Sequence, residues 1–227
     1  MVRFRGHCDH QFVTYRVAIT GSYGSGKTVL STALSRLTEI PRTHGSPMRE
    51  PIGGEGRSVH EWTPGQLVQL TVNRYTERVM SESGMPGGFI SDGSVLHEWA
   101  YAKVKLVAGS YPGTAMPLRG RYRSDEVRAL ESVVDDLGLL MRRHAERSYD
   151  AFLHVPVEFD MTGDDQPINE NFRLISDDIL LPELESTGIP VYTVGGDIRE
   201  RLEQCQKALG IDAVNEIEEV VRQVGER

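Results

Sequence analysis

Eight consecutive residues, Gly21-Ser22-Tyr23-Gly24-Ser25-Gly26-Lys27-Thr28, constrain this chain more than any other segment. They fill every fixed position of the phosphate-binding loop pattern G-x-x-x-x-G-K-[ST]. The glycines let the backbone curl so that successive N–H groups point inward at phosphate oxygens. The helix that follows such a loop adds the positive end of its dipole. Gly21, Ser22, Tyr23, Gly24, Ser25, Gly26, Lys27, Thr28 and Val29 are therefore the expected nucleotide-binding set. Lys27 is expected to reach the β- and γ-phosphates of ATP as a point charge, and the Thr28 hydroxyl to bind Mg²⁺. The flanks agree with this. Residues 17–20 form a short apolar run that stops at glycine, as a buried strand does, and Leu30, Leu34 and Leu37 share one face of a helix from Lys27 to Thr38.

The remainder of the chain alternates strand and helix signals. A loop rich in Pro, Gly and Arg covers residues 41–63 and contains a second short strand near residues 46–50. Thr63 is an N-cap with Pro64 at the first helical position, and the helix it opens runs to about Ser83. Further strands are expected at residues 89–91, ending at Asp92, and at 152–157 and 191–194. Helices are expected at 95–107, from a Ser124 cap to about Arg147, and at 171–186, 197–209 and 212–224, with polar loops at 109–120 and 163–167. This alternation predicts an α/β fold: a doubly wound, five-stranded parallel sheet with helices on both faces, of the P-loop NTPase class. Ligands in such sheets sit at the carboxyl ends of the strands, where the strand order switches.

Composition narrows the class of partner. The 227 residues carry 39% hydrophobic and 26% charged side chains, enough for one well-packed core. A single domain over 1–227 is expected, with an N-terminal extension at 1–14, a lid region at about 157–173 and a C-terminal helix at 212–227. The 25 Lys+Arg against 33 Asp+Glu give a net charge of −8, which disfavours a nucleic-acid partner. No apolar run approaches the roughly 18 residues that a membrane span needs. The first eleven residues lack a signal-peptide core, and two distant cysteines, Cys8 and Cys205, read as reduced thiols. A cytoplasmic protein with no membrane partner is the expectation. The last helix is either a cap or a surface for a homodimer. His7, Cys8, Asp9 and His10 have metal-ligand chemistry but no second cluster to complete a zinc site, and read as a solvated tail. His154, inside an apolar strand, reads as a hydrogen-bonded core histidine, and His97, five residues after Asp92, is near the expected site in sequence only.

The base-recognition motif of GTPases and the signature loop of transporter ATPases are absent, and the chain is short for an AAA-type machine with its lid domain. Small-molecule kinases remain. From about Tyr15 to Leu209 the chain resembles the small P-loop kinases related to the nicotinamide-riboside kinase domain, the AAA-type ATPase/kinase-like group. The likeness rests on the phosphate loop after the first strand, Arg49-Glu50-Pro51 and Phe89-Ile90-Ser91-Asp92. It continues through residues 149–156, Asp164-Asp165 with Asn171-Phe172-Arg173, residues 188–192, Gly195-Gly196 and Glu200-Arg201. Glu50-Pro51 and Asp92-Gly93-Ser94 are also similar to the corresponding motifs of deoxynucleoside kinases. The resemblance implies ATP and Mg²⁺ as cofactors and a nucleoside-like small molecule as phosphoryl acceptor. Rival readings are a nucleoside monophosphate kinase and a non-catalytic ATP-binding regulator.

Transfer to a hydroxyl needs a carboxylate near that hydroxyl and positive charge around the migrating group. Glu50 and Asp92 both follow expected short strands and should lie at the carboxyl edge of the sheet, facing the phosphate loop. The likeness to deoxynucleoside kinases points to Glu50 as general base, which leaves Asp92 to hold a Mg²⁺-bound water. Lys27, Glu50, Asp92, Arg121 and Arg173 form the expected catalytic set, with Thr28 and Asp92 at the metal. Arg119, Arg121 and Arg123 lie in one glycine-containing loop, and arginine forks suit phosphate oxygens. The relatives carry a further arginine in the lid turn, where this chain reads Gln166-Pro167-Ile168-Asn169; Arg173 or the 119–123 loop is expected to substitute. Arg57, His60, Glu61 and Trp62, and Tyr101 beyond Asp92, are polar and aromatic groups suited to a base or ring.

Overall fold

The computed structural model describes residues 15–43, 50–56, 62–108, 125–158 and 170–225. The expected strand near 46–50 (Glu50 apart), the N-terminal His/Cys cluster, Arg57, His60, Glu61, the arginines at 119, 121 and 123, and the acidic lid turn lie outside these residues.

Four parallel strands, β1 (Arg16–Thr20), β2 (Phe89–Asp92), β3 (Ala151–His154) and β4 (Val191–Thr193), form one sheet in the order β2-β1-β3-β4. The sheet thus has four strands among the described residues where five were expected. Beyond β2 the chain at residues 41–43 begins a fifth position. Thr43 N–H donates to Ile90 O at 3.0 Å, Ile90 N–H donates to Pro41 O at 2.9 Å, and Arg42 bridges Ile90 in parallel. The order places β1 in the middle, with β2 on one side and β3 on the other. The switch point of the topology therefore falls at the carboxyl end of β1, where the glycine-rich loop begins.

Side chains alternate across β1 and assign the layers. Val17 and Ile19 pack with Leu30, Leu34, Leu202 and Val220, the face covered by α1 (Lys27–Thr38), α6 (Ile198–Leu209) and α7 (Ile217–Gly225). Ala18 points the other way, into a core with Leu96, Met141, Phe152 and Leu184, covered by α3 (Val95–Ala108), α4 (Asp125–Ser148) and α5 (Glu170–Ser186). Helices on both faces of a parallel sheet are the expected architecture. α7 lays its apolar residues on α1 and acts as a cap on that core.

Helix α2 (Pro64–Ser83) starts where its sequence requires. Thr63 accepts from Gln66 N–H while Gln66 accepts from Thr63 N–H, a closed capping box worth about 1 kcal/mol. No helix among the described residues is long and apolar enough to cross a membrane.

Candidate active site

The loop from Gly21 to Gly26 joins the buried end of β1 to α1 and is shaped by three glycines at positive φ: 132° at Gly21, 72° at Gly24 and 95° at Gly26. Two of them also answer to close neighbours. A Cβ on Gly21 would lie 2.2 Å from Val155 O, and one on Gly26 would lie 2.7 Å from Nη1 of Arg201. Lys27 curls back beneath the loop, where its Nζ donates to Ser22 O at 2.6 Å. Burial pushes its amine down to about 8, opposed by the carboxylates of Asp92 and Asp177 and assisted by the guanidinium groups of Arg78 and Arg173. Ser22 Oγ and Ser25 Oγ are buried within the loop and have no hydrogen-bond partner. Tyr23 and Val29, also in the expected set, are exposed on its outer side.

Thr28 and Asp92 come together across the head of the sheet. The Thr28 hydroxyl donates to Asp92 Oδ2 at 2.9 Å, so the first turn of α1 and the end of β2 present a hydroxyl and a carboxylate side by side. Arg42 also reaches this carboxylate: its Nη2 donates to Asp92 Oδ2 at 2.5 Å and its Nε to Ser31 Oγ at 2.6 Å. Glu50 is exposed, and its Oε2 accepts from Gly56 N–H at 3.0 Å within its own loop.

A buried polar layer supports Asp92 from below. Arg78 donates to Asp92 O and to Ser91 Oγ, each at 3.1 Å, and to Glu98 Oε1 at 2.8 Å. Glu98 also accepts from Arg74 Nε at 2.5 Å. Although burial works against it, the two guanidinium groups hold the Glu98 carboxyl down at about 2. Glu82 accepts from Ser91 Oγ at 2.6 Å and from the Tyr149 hydroxyl at 2.9 Å, completing the network. Gly93, at φ 104°, is required here because a Cβ would meet the Arg78 guanidinium at 2.9 Å.

His97 is a site residue that sequence spacing alone did not establish. Its Nδ1 takes the Ser94 N–H at 2.9 Å, which leaves the ring proton on Nε2, donating to Gly21 O at 2.9 Å. The 3.2 Å approach of Gly21 N–H to the same nitrogen is then proximity rather than a bond. Burial and the charges of Lys27 and Arg78 push this imidazole down to about 3, so it is neutral when it holds the loop. On the other side, His154 is a buried histidine with Nδ1 at 3.3 Å from Thr20 Oγ1 and Nε2 at 3.4 Å from Asp177 Oδ2. Arg173, one turn before Asp177 on α5, is buried and donates to Glu170 at 2.7 Å. Tyr101 stacks on Phe172 with ring centroids 6.1 Å apart and carries the Arg74 guanidinium 5.8 Å above its ring.

A third contact fixes the loop from α6. Arg201 is buried, donating from Nη1 to Ser25 O at 2.9 Å and from Nη2 to Glu158 at 2.7 Å, while Glu158 accepts from Gly196 N–H at 2.9 Å. Its place in the pair Glu200-Arg201 after the last strand was the sequence signal for it.

The residues present fit a nucleotide phosphate and its metal. The two serine hydroxyls held without partners, the glycine-rich turn and a half-buried lysine suit an anion, and the Thr28–Asp92 pair supplies hard oxygen donors.

A family model described as an AAA domain matches residues 16–201. The chain belongs to the AAA domain family. Among solved structures, this family member is similar to the deoxyadenosine kinase from M. mycoides with the products dCMP and a flexible dCDP bound. The TM-score is 0.57 at 12% identity, covering 86% of this chain and 98% of that one. It is similar also to the NadR protein in complex with NAD and AMP-PNP, with TM-score 0.56 at 16% identity, covering 89% of this chain and 52% of that one. The AAA-domain chain therefore spans about half the length of NadR. These likenesses show a shared α/β fold. No curated protein matches the sequence.

Proposed function

We propose that this protein is an ATP-dependent kinase that transfers the γ-phosphoryl group to a hydroxyl of a nucleoside-like small molecule. The observation that carries the reading is the Thr28–Asp92 hydrogen bond beside the half-buried Lys27, at the switch point of the sheet. The solved neighbours support it: the deoxyadenosine kinase binds deoxynucleotides, and NadR has been seen with NR and with AMP-PNP.

In this reading the loop amides, Ser22, Ser25 and Lys27 hold the triphosphate, and Thr28 with Asp92 holds Mg²⁺. The metal, when bound, neutralises phosphate charge. The acceptor oxygen forms a bond to the γ-phosphorus as the bond to the β–γ bridging oxygen breaks, and ADP leaves. The hydroxyl proton passes to a carboxylate; Glu50 keeps this role from its Glu-Pro motif, and its loop packs on the start of α2 through Gln66 Nε2 to Gly53 O. Arg173 lies close enough for its charge to bear on Lys27, and with Arg121 it remains the candidate to offset charge on the migrating group. His97 and Arg201 position the loop and do not touch substrate.

A monophosphate acceptor requires arginines for its own phosphate. Among the described residues Arg74 and Arg78 are both committed to the buried carboxylate of Glu98, which favours an uncharged hydroxyl acceptor. The test is incubation with ATP, MgCl₂ and a panel of nucleosides and nucleoside monophosphates, with phosphorylated product detected by mass spectrometry. Product from a nucleoside, lost in Lys27→Ala, supports the reading. Undiminished product in Lys27→Ala refutes it, and tight ATP binding without transfer to any acceptor favours a nucleotide-binding regulator.

A further inference from the structure

Arg42 belongs to no expected motif, yet its side chain ends inside the metal-binding corner. It is anchored from behind by the pairing of residues 41–43 with Ile90. Its guanidinium spans Ser31 Oγ on α1 at 2.6 Å and Asp92 Oδ2 at 2.5 Å. That same Oδ2 accepts the Thr28 hydroxyl at 2.9 Å. A carboxylate oxygen offers two lone-pair directions, and both are engaged here. The Asp92 side chain is 3% exposed and that of Arg42 is 25% exposed. A nearly buried anion thus has its balancing cation supplied by the protein itself, and leaving such an anion unpaired is strongly unfavourable.

We propose that Arg42 is an internal counter-cation for Asp92 in the nucleotide-free protein, and that a divalent metal arriving with the nucleotide must displace it from Oδ2. The proposal rests on reading this corner as the site of a metal–nucleotide complex. Thr28 Oγ1 and Asp92 Oδ2 are neighbours, so an ion held at the Thr28 hydroxyl brings its charge beside the guanidinium. Two cations at such separations repel. The partly exposed Arg42 yields by pivoting on Ser31, which keeps one of its two hydrogen bonds. The work of that displacement is subtracted from the affinity for the metal–nucleotide complex. Arg42 is therefore a positioning residue that sets how much magnesium the protein needs.

The measurement is the affinity for a fluorescent ATP analogue, in EDTA and in saturating MgCl₂, for the full chain and for Arg42→Met, which keeps the stem and removes the charge. Expected is about tenfold tighter binding of the magnesium form by Arg42→Met, the size of one charge-assisted hydrogen bond, with no tightening in EDTA. Arg42→Lys should behave like the parent. Should the methionine variant not fold, Arg42→Gln, which retains a donor for Ser31, is read in the same way. Equal or weaker binding of the magnesium form overturns the proposal and makes Arg42 a strut or a phosphate ligand. A parent protein that binds nucleotide no better with magnesium than with EDTA overturns both the proposal and the site reading beneath it; magnesium enhancement in the parent with no change in the variant overturns the proposal alone.

Discussion

The Thr28 hydroxyl and the Asp92 carboxylate, 64 residues apart in sequence, meet at 2.9 Å across the head of the sheet. The hydroxyl orients the carboxylate, and together they offer two oxygens to a cation. Thr28→Val keeps shape and removes the oxygen. Magnesium-dependent nucleotide affinity should fall about 10–100-fold while metal-free affinity and thermal midpoint change little. Calorimetric titration with and without magnesium checks this.

Nucleotide binding should also depend on alkaline pH through Lys27. In the free protein its amine is pushed down to about 8, mainly by burial. A bound phosphate favours the charged form, so the complex holds this proton more tightly than the free protein does. Affinity should therefore fall as pH rises past about 8, and binding there should take up a proton. Titration in two buffers of different ionisation enthalpy measures that uptake. Asp177→Asn removes one of the carboxylates that hold the amine up and should move the onset to lower pH.

Acid sensitivity should trace to His97. Below its ordinary value of 6.5 the unfolded chain protonates this ring, whereas the folded chain resists until about 3. Stability from this group is thus complete above 6.5 and declines as pH falls through that window, by about 1.4 kcal/mol per unit. His97→Gln should be less stable than the parent at pH 7.5, and the gap in urea midpoint should shrink at pH 5.

Gly21→Ala should be among the costliest small substitutions. The new Cβ would sit 2.2 Å from Val155 O at a φ of 132°. Strain and clash together should cost about 3 kcal/mol or more, lowering the thermal midpoint by about 6–12 °C. Gly24→Ala, with open space around its Cβ, should cost less and serves as the internal control.

Much of this architecture was legible because it is local. The phosphate loop, the start of α1 at Lys27 and the Thr63-Pro64 opening of α2 are each written within a few consecutive residues, and the structure places them there. The expected strand at 152–157 is shorter, ending at His154, because beyond it the chain leaves the sheet to approach Gly21 and the phosphate loop. What was not legible is the charge layer under the site. Arg42 with Asp92 and Arg78 with Glu98 are contacts that only the crossover topology creates, and an arginine in a loop or helix carries no mark of the carboxylate it will meet. His97 was legible by proximity alone; its task follows from the tautomer that Ser94 imposes.

The guanidinium of Arg201 grips a carbonyl of the phosphate loop with one arm and Glu158 with the other, while Glu158 holds the backbone at Gly196. The phosphate loop and α6 are thereby stitched at one point, and neither can loosen without breaking a part-buried ion pair. A ligand that quiets the loop must quiet α6 as well, so slowed amide exchange should spread into a helix that no phosphate reaches.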